Sequence, residues 1–200
     1  MAPPRKHETD SILDATRALV LAGGPRCASV AAIAEASGAP AGTLYHRFGN
    51  RDGILTHTWL RALRRFQARV MAADSPDPLD TAVAMAVAAV GFAGDLPEDA
   101  RLLLTLRVSD LLDGRDDPDL TETLAAMNAP LGERLRDIAR QLYGSAESRP
   151  LDAVTRAVVD LPYAAIRRHA GAVPPWLADD VAAGCRVLLL DAQARTSGVR

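Results

Sequence analysis

Lysine is almost missing from this 200-residue chain. Lys6 is its one lysine, and arginine supplies every other basic side chain. Cysteine is scarce as well. Cys27 and Cys185 stand far apart and match no metal-ligand or CxxC spacing, so both read as small apolar thiols in a reduced, cytoplasmic protein. Only eight residues are aromatic, which leaves Leu, Val, Ile and Ala to build the core. Segments rich in Ala and Leu, with few β-branched runs, favour helix over strand. The opening MAPPRKHETD has no apolar centre and cannot serve as a signal peptide. The longest uncharged apolar run, Ala82 to Gly94, is 13 residues. A membrane span needs about 20, so a soluble chain with no membrane partner is expected.

Catalytic constellations are also missing. The serines fall mostly at helix starts and in loops, none within a nucleophile elbow. No phosphate-binding glycine loop is present. His7, His57 and His169 are scattered without an i, i+4 partner of metal-ligand type. Asp110, Asp113, Asp116, Asp117 and Asp119 do not follow the spacing of a calcium loop and read as a solvated acidic segment. Arg101 and Arg107 bracket an apolar run and read as side chains snorkelling at a core edge. The expectation is no enzyme, no metal and no cofactor.

What is present is a division of charge. Residues 1–70 hold ten basic side chains against five acids, whereas residues 71–200 hold thirteen against twenty. Such asymmetry points to an N-terminal part that meets a polyanion and a C-terminal part that does not. Apolar periodicity gives a first helix from about Thr9 to Leu21, with Ile12, Ala15 and Leu19 on one face, ended by Gly23-Gly24-Pro25. Ser29 stands where an N-cap belongs, and the second helix stops at Gly38, a residue suited to a left-handed turn. A third helix spans about Pro40 to Phe48. Gly49 breaks it, and Asn50 caps a long fourth helix over about 51–72.

On that fourth helix Leu55, Trp59, Ala62, Phe66 and Val70 form one stripe, while Arg61, Arg64, Arg65 and Arg69 read as a solvated face. Asp77 and Pro78 then start a fresh helix. Further helices are expected at about 78–93, 97–113, 118–143, 150–169 and 175–194. Pro130 and Pro162 are expected to kink or split theirs.

The stretch from Ser29 to His57 is the most informative. Val30, Ile33, Ala34, Leu44, Phe48, Ile54 and Leu55 fall where two short helices and a tight turn bury them. Between them stand Thr43, Tyr45, His46, Arg47 and Arg51, side chains suited to the edges and phosphates of a duplex. With its frame of Ile33-Ala34, Gly38, Gly42-Thr43-Leu44-Tyr45, Phe48, a basic residue at 51 and aliphatics at 54 and 55, IAEASGAPAGTLYHRFGNRDGIL closely resembles the DNA-binding signature of TetR-type bacterial transcriptional regulators. The resemblance covers roughly the first quarter of the chain.

It implies an all-α fold of about nine helices: a helix-turn-helix DNA-binding domain over residues 1–55, the fourth helix as connector, and a helical ligand-binding and dimerisation domain over 73–200. The expected DNA-facing positions are Ser29, Ala41, Gly42, Thr43, Tyr45, His46, Arg47 and Arg51. Gly42 lets backbone N–H groups approach a phosphate at the partly positive helix start. Arg51 is expected on a phosphate, and Arg47 on guanine or the backbone. Arg5 and Lys6 add backbone contacts from an arm. Pro40 stands where the family commonly has Ser, so the third helix loses a capping side chain, and Ala41 is too short to reach a base.

In similar proteins the last two helices join a mate in a four-helix bundle. The stripes Val154, Val158, Leu161, Ala165 and Leu177, Val181, Gly184, Leu188 are expected there. Phe92, Leu103, Leu106, Met127, Tyr143 and Tyr163 are expected around an apolar pocket. The reading is a homodimeric, ligand-responsive DNA-binding regulator, a repressor whose partners are a palindromic operator duplex and a small effector. The alternatives are a helical small-molecule-binding protein that does not bind DNA, and a DNA-binding protein that heeds no ligand.

Overall fold

The computed structural model describes residues 5–107, 118–170 and 172–197, with the side chains of 9–107, 118–170 and 172–194. Among the described residues the chain is helical, with no strand. The order is α1 (Arg5–Gly23), a 3₁₀ turn (Pro25–Cys27), α2 (Val30–Ser37), α3 (Ala41–Phe48), α4 (Arg51–Met71), α5 (Pro78–Asp95), α6 (Pro97–Thr105), α7 (Pro118–Tyr143), α8 (148–168) and α9 (Leu177–Ser197). The acidic cluster at 110–117 and the expected end of α6 lie outside the described residues, as do the side chains of Arg5 and Lys6. The backbone of the expected arm is already helical from Arg5.

Local punctuation sets these boundaries. Ser29 Oγ accepts the Ala32 N–H at 3.1 Å. Asp77 Oδ1 accepts from Leu79 and Asp80 at 2.8 and 3.0 Å, with Pro78 opening α5. Gly24, Gly38 and Gly49 each adopt positive φ at the turns they make, where a Cβ would crowd its own neighbouring backbone.

The chain forms two compact units. One holds the residues up to Arg64 together with the stretch that begins at Glu98, and the other holds Arg65–Pro97 and the chain from Pro118 onward. The division therefore falls within α4, and α6, expected in the C-terminal domain, belongs to the N-terminal unit. Two features put it there. Leu102 and Leu106 join one hydrophobic cluster with Ile12, Leu13, Val20, Ile33, Leu44, Phe48, Ile54, Leu55 and Ala62. The Trp59 indole N–H also donates to the Leu106 carbonyl at 3.2 Å.

A network of charges completes that unit. Asp99, 1% exposed, accepts from Arg17, whose other terminal nitrogen lies 2.6 Å from Glu98. Burial lowers the Arg17 pKa, but Asp99, Asp14 and Glu98 outweigh it and hold the guanidinium above its ordinary value. Arg61 pairs with Asp14 at 2.6 Å and Asp10 at 3.1 Å. Arg61 is thus buried, not part of a solvated face as its spacing suggested. Asp10 and Asp14, one turn apart on α1, lie against it and supply its counter-charge. Arg64 and Arg69 are exposed as expected, and Arg69 pairs with Asp95 at 2.8 Å.

In the second unit α5 is the inner helix. It is apolar and long enough by composition to cross a membrane, yet it buries Ala82, Met85, Ala86, Ala89, Val90 and Phe92 in this core. Around it lie Leu135 and Ile138 of α7, Val154 and Val158 of α8, and Leu177, Val181, Cys185 and Leu189 of α9. Burial pushes the Cys185 thiol up to about 11 and the Tyr143 phenol up to about 12, so both stay neutral at physiological pH. Cys27, by contrast, is exposed and donates to the Gly23 carbonyl.

The two internal prolines behave differently. α7 passes through Pro130 without a break, and the bond that Pro130 cannot make falls on an exposed stretch of the helix. Before Pro162, α8 widens into a π-helical turn over Arg156–Asp160, where the Leu161 N–H reaches back to the Arg156 carbonyl.

Asp99 should be the most sensitive of the charges in the first unit. Asp99→Ala leaves Arg17 without its buried partner and is expected to cost about 3 kcal/mol in chemical denaturation. Glu98→Ala, at the exposed rim, should cost no more than about 1 kcal/mol.

Candidate nucleic-acid interface

α2 and α3 are eight residues each, too short to be stable helices alone. They persist because each buries a face. On α3, Leu44 is fully buried and Phe48 is 8% exposed. The opposite face carries Ala41, Gly42, Tyr45 and His46, all exposed, with Thr43 and Arg47 half-buried at its edges. Tyr45 is 54% exposed, an unusual position for a large ring on a helix that otherwise sinks its apolar groups.

The start of α3 is bare. Pro40 is the N-cap and offers no side-chain acceptor. The first closing bond runs from the Thr43 N–H to the Pro40 carbonyl at 2.9 Å. The N–H groups of Ala41 and Gly42 precede it and point outward from the partly positive helix end. A Cβ built on Gly42 meets nothing within 4 Å, so this end is open to an incoming anion.

The end of α3 is tightly fixed. Gly49 adopts φ 75°, the Asn50 N–H bonds the Phe48 carbonyl at 2.9 Å, and Asn50 Oδ1 caps α4 through the Gly53 N–H at 2.8 Å. A Cβ on Gly53 would stand 2.0 Å from the Phe48 carbonyl oxygen. Gly53 is therefore required for the α3–α4 corner, a role that periodicity did not signal because it depends on a close approach to the preceding helix end.

Arg51, expected on a phosphate, also bonds within the chain. Its Nε donates to the Ala28 carbonyl at 3.0 Å, one terminal nitrogen donates to the Pro25 carbonyl, and the other lies 3.1 Å from Asp52. The guanidinium thus latches the 3₁₀ turn before α2 onto the start of α4 through three of its five N–H donors. Ser29 is similarly engaged as a cap. Arg47 donates to Thr9 Oγ1 on α1 at 3.0 Å. Thr9 escaped the sequence reading because it lies 38 residues away and no local spacing joins the two.

The six expected pocket residues are divided between the two units. Leu103 and Leu106 lie in or against the core of the first unit. Phe92 stacks edge-on with Phe66 in the second, with ring centroids 5.4 Å apart. Phe92 also borders an open groove of about 360 Å³ with Arg65, Ala68, Arg69, Asp95 and Leu96. Tyr143 donates to the Leu189 carbonyl and borders a separate cleft of about 120 Å³ with Arg149, Arg156 and Asp191. Met127 is half-buried on α7, and Tyr163 is exposed on α8.

The residues expected at a subunit interface divide in the same way. Val154, Val158, Leu177 and Val181 fill the chain's own core, Leu161, Ala165 and Gly184 are half-buried, and Leu188 is exposed. Gly184 lies under Leu161, whose Cδ2 would be 3.2 Å from an added Cβ. Val187, 65% exposed, and Leu190 stand outside with Leu188 on α9, as do Tyr163 on α8 and Trp176 just before α9. α9 is apolar on two faces, and periodicity alone did not say which one turned inward.

Two substitutions test this corner. Gly53→Ala should lower stability by about 1–3 kcal/mol in chemical denaturation, although Ala is favoured over Gly by about 1 kcal/mol in an open helix. Arg51→Lys keeps the charge but cannot fork across two carbonyls, and is expected to cost about 1.5–3 kcal/mol. A side chain that serves only to grip phosphate would leave the unfolding midpoint unchanged.

Comparison with known proteins adds to this geometry. Residues 12–58 match the family model described as bacterial regulatory proteins, tetR family. No curated protein matches the chain. Among solved structures, it is similar to a TetR-like transcriptional regulator from a Rhodococcus species, with TM-score 0.72, 19% identity, and coverage of 96% of this chain and 99% of that one. It is also similar to the TetR-family transcriptional regulator PfmR from Thermus thermophilus, with TM-score 0.69, 24% identity, and coverage of 90% and 97%. A third is the fatty acid degradation regulator FadR from Bacillus halodurans, with TM-score 0.69, 18% identity, and coverage of 94% and 97%.

Proposed function

We propose that this chain, a TetR-family transcriptional regulator by its N-terminal module and its fold, acts in the cytoplasm as a homodimeric repressor that a small molecule releases from a palindromic operator. The observation that carries the DNA-reading part is the two-sided character of α3. Leu44 and Phe48 anchor one face, while Gly42, Tyr45 and His46 stand in solvent beside Thr43 and Arg47. A helix held this way presents its first turn to a major groove. The Ala41 and Gly42 N–H groups and the Tyr45 hydroxyl meet phosphates, and His46, Arg47 and Thr43 meet base edges.

One such helix reads only a few base pairs, so useful affinity needs two on one site. The face of Val187 and Leu190 on α9, with Tyr163 on α8, supports a second copy as the partner. Leu188 is exposed beside Val187 and Leu190, and grouped apolar side chains in water mark association surfaces. The mixed groove beside Phe92, with Arg65, Arg69 and Asp95 at its rim, has a size within the ligand-pocket range and supports an apolar or amphipathic effector. Release follows if that effector binds better to a state whose two reading helices are wrongly spaced for successive grooves.

Selection of bound duplexes from a random pool tests this reading. The expected product is an inverted repeat with half-sites about one helical turn apart, bound by a protein that elutes as a dimer. Val187→Asp with Leu190→Asp should give a monomer with weak, salt-sensitive binding and no preference for the repeat. A pool that is not enriched at low ionic strength would refute DNA reading outright.

A further inference from the structure

The second unit holds a cleft that the function proposed above leaves unused. The end of α7, the start of α8 and the later turns of α9 enclose about 120 Å³ there. It shares no lining residue with the groove beside Phe92. A cavity of roughly 150 Å³ accommodates a benzene ring, so this cleft has room for one ring or a short chain.

Its walls are built in advance. The Tyr143 hydroxyl donates to the Leu189 carbonyl at 3.0 Å, and the Gln193 amide donates to the Leu142 carbonyl at 3.3 Å. These two bonds tie the end of α7 to α9. Pro150 and the buried Ala153 line the cleft from α8, and Leu188 and Ala192 line it from α9. A site that is already formed spends little binding energy on ordering itself.

The polar part of the lining is mainly basic. Arg149 and Arg156 stand seven residues apart on α8, a spacing that returns to one face after two turns. Arg149 makes no hydrogen bond or ion pair among the described residues. Arg156 engages Asp152 through Nε at 3.0 Å, which leaves the fork of its terminal nitrogens open. Two like charges on one lining repel, and an anion placed there relieves both. Tyr143, whose phenol burial pushes up to about 12, stays neutral and adds no opposing charge. Asp191 is the one carboxylate among these lining residues, and it opposes a second negative charge on an occupant.

We propose that this cleft binds a small monocarboxylate with an apolar body, its carboxylate on Arg149 and Arg156 and its body against the Tyr143 ring, Pro150 and Ala153. Guanidinium forks match a carboxylate in geometry as well as charge.

Calorimetric titration of the full-length protein with benzoate tests this, with benzamide as the neutral counterpart and inorganic phosphate as an anion without an apolar body. Benzoate is expected to saturate one site per chain, with benzamide and phosphate each about tenfold weaker. Arg149→Gln and Arg156→Gln should each weaken benzoate by about tenfold and leave the thermal midpoint in place, because both side chains are exposed. Arg167→Gln, which removes an exposed α8 arginine outside the cleft, should change nothing.

No saturation at millimolar benzoate, equal binding of benzamide, or tighter binding of phosphate would overturn the assignment. So would benzoate binding that survives both cleft substitutions or falls equally in Arg167→Gln. None of these outcomes bears on the reading of α3, whose residues lie in the first unit.

Discussion

The face proposed to meet a duplex depends on a constraint that has nothing to do with DNA: an eight-residue helix must bury Leu44 and Phe48 or it does not exist. Their burial against α1, α2 and α4 residues fixes the rotation of α3 about its axis. Once Leu44 and Phe48 point inward, residues 41, 42, 45 and 46 can point only outward, because the helical period leaves them no other direction. The glycine corner at 49 and 53 and the Arg51 latch then stop α3 and the turn before α2 from shifting independently. The chemistry that this face presents to solvent is thus a by-product of core packing in the first unit.

That unit extends beyond the helices that carry the motif. Leu102 and Leu106 complete its core, and Asp99 sits nearly fully buried against Arg17. Buried ion pairs add little net stability compared with apolar packing, but they admit few geometries. Asp10, Asp14 and Arg17 on α1, Arg61 on α4, and Glu98 and Asp99 on α6 therefore act as a register for the three helices. An N-terminal module cut after α4 would leave Arg17 facing no buried carboxylate.

Much of this was legible in the sequence. Ser29, Gly38, Gly49, Asn50 and Asp77 behave as read, because caps and left-handed turns are decided by neighbours a few residues away. The all-helical architecture follows from the same local signals. What the residues alone did not disclose depends on distant partners. Arg61 looked like a solvated face until α1 placed Asp10 and Asp14 beside it, and nothing in the local pattern of Arg51 signalled its bonds to the carbonyls of Pro25 and Ala28. Val154, Val158, Leu177 and Val181 looked ready for a second subunit, yet the chain's own core takes them and leaves Val187 and Leu190 outside. Phe92, Leu103, Leu106, Met127, Tyr143 and Tyr163 were chosen for size and polarity, which do not encode the division between the two units.

Methylation interference on the selected duplex addresses the central claim most directly, since it reports which guanines must keep their major-groove N7 free. The account requires two clusters of interfering guanines about one helical turn apart, related by a two-fold axis. A single cluster, interference spread evenly along the duplex, or none at all would contradict it.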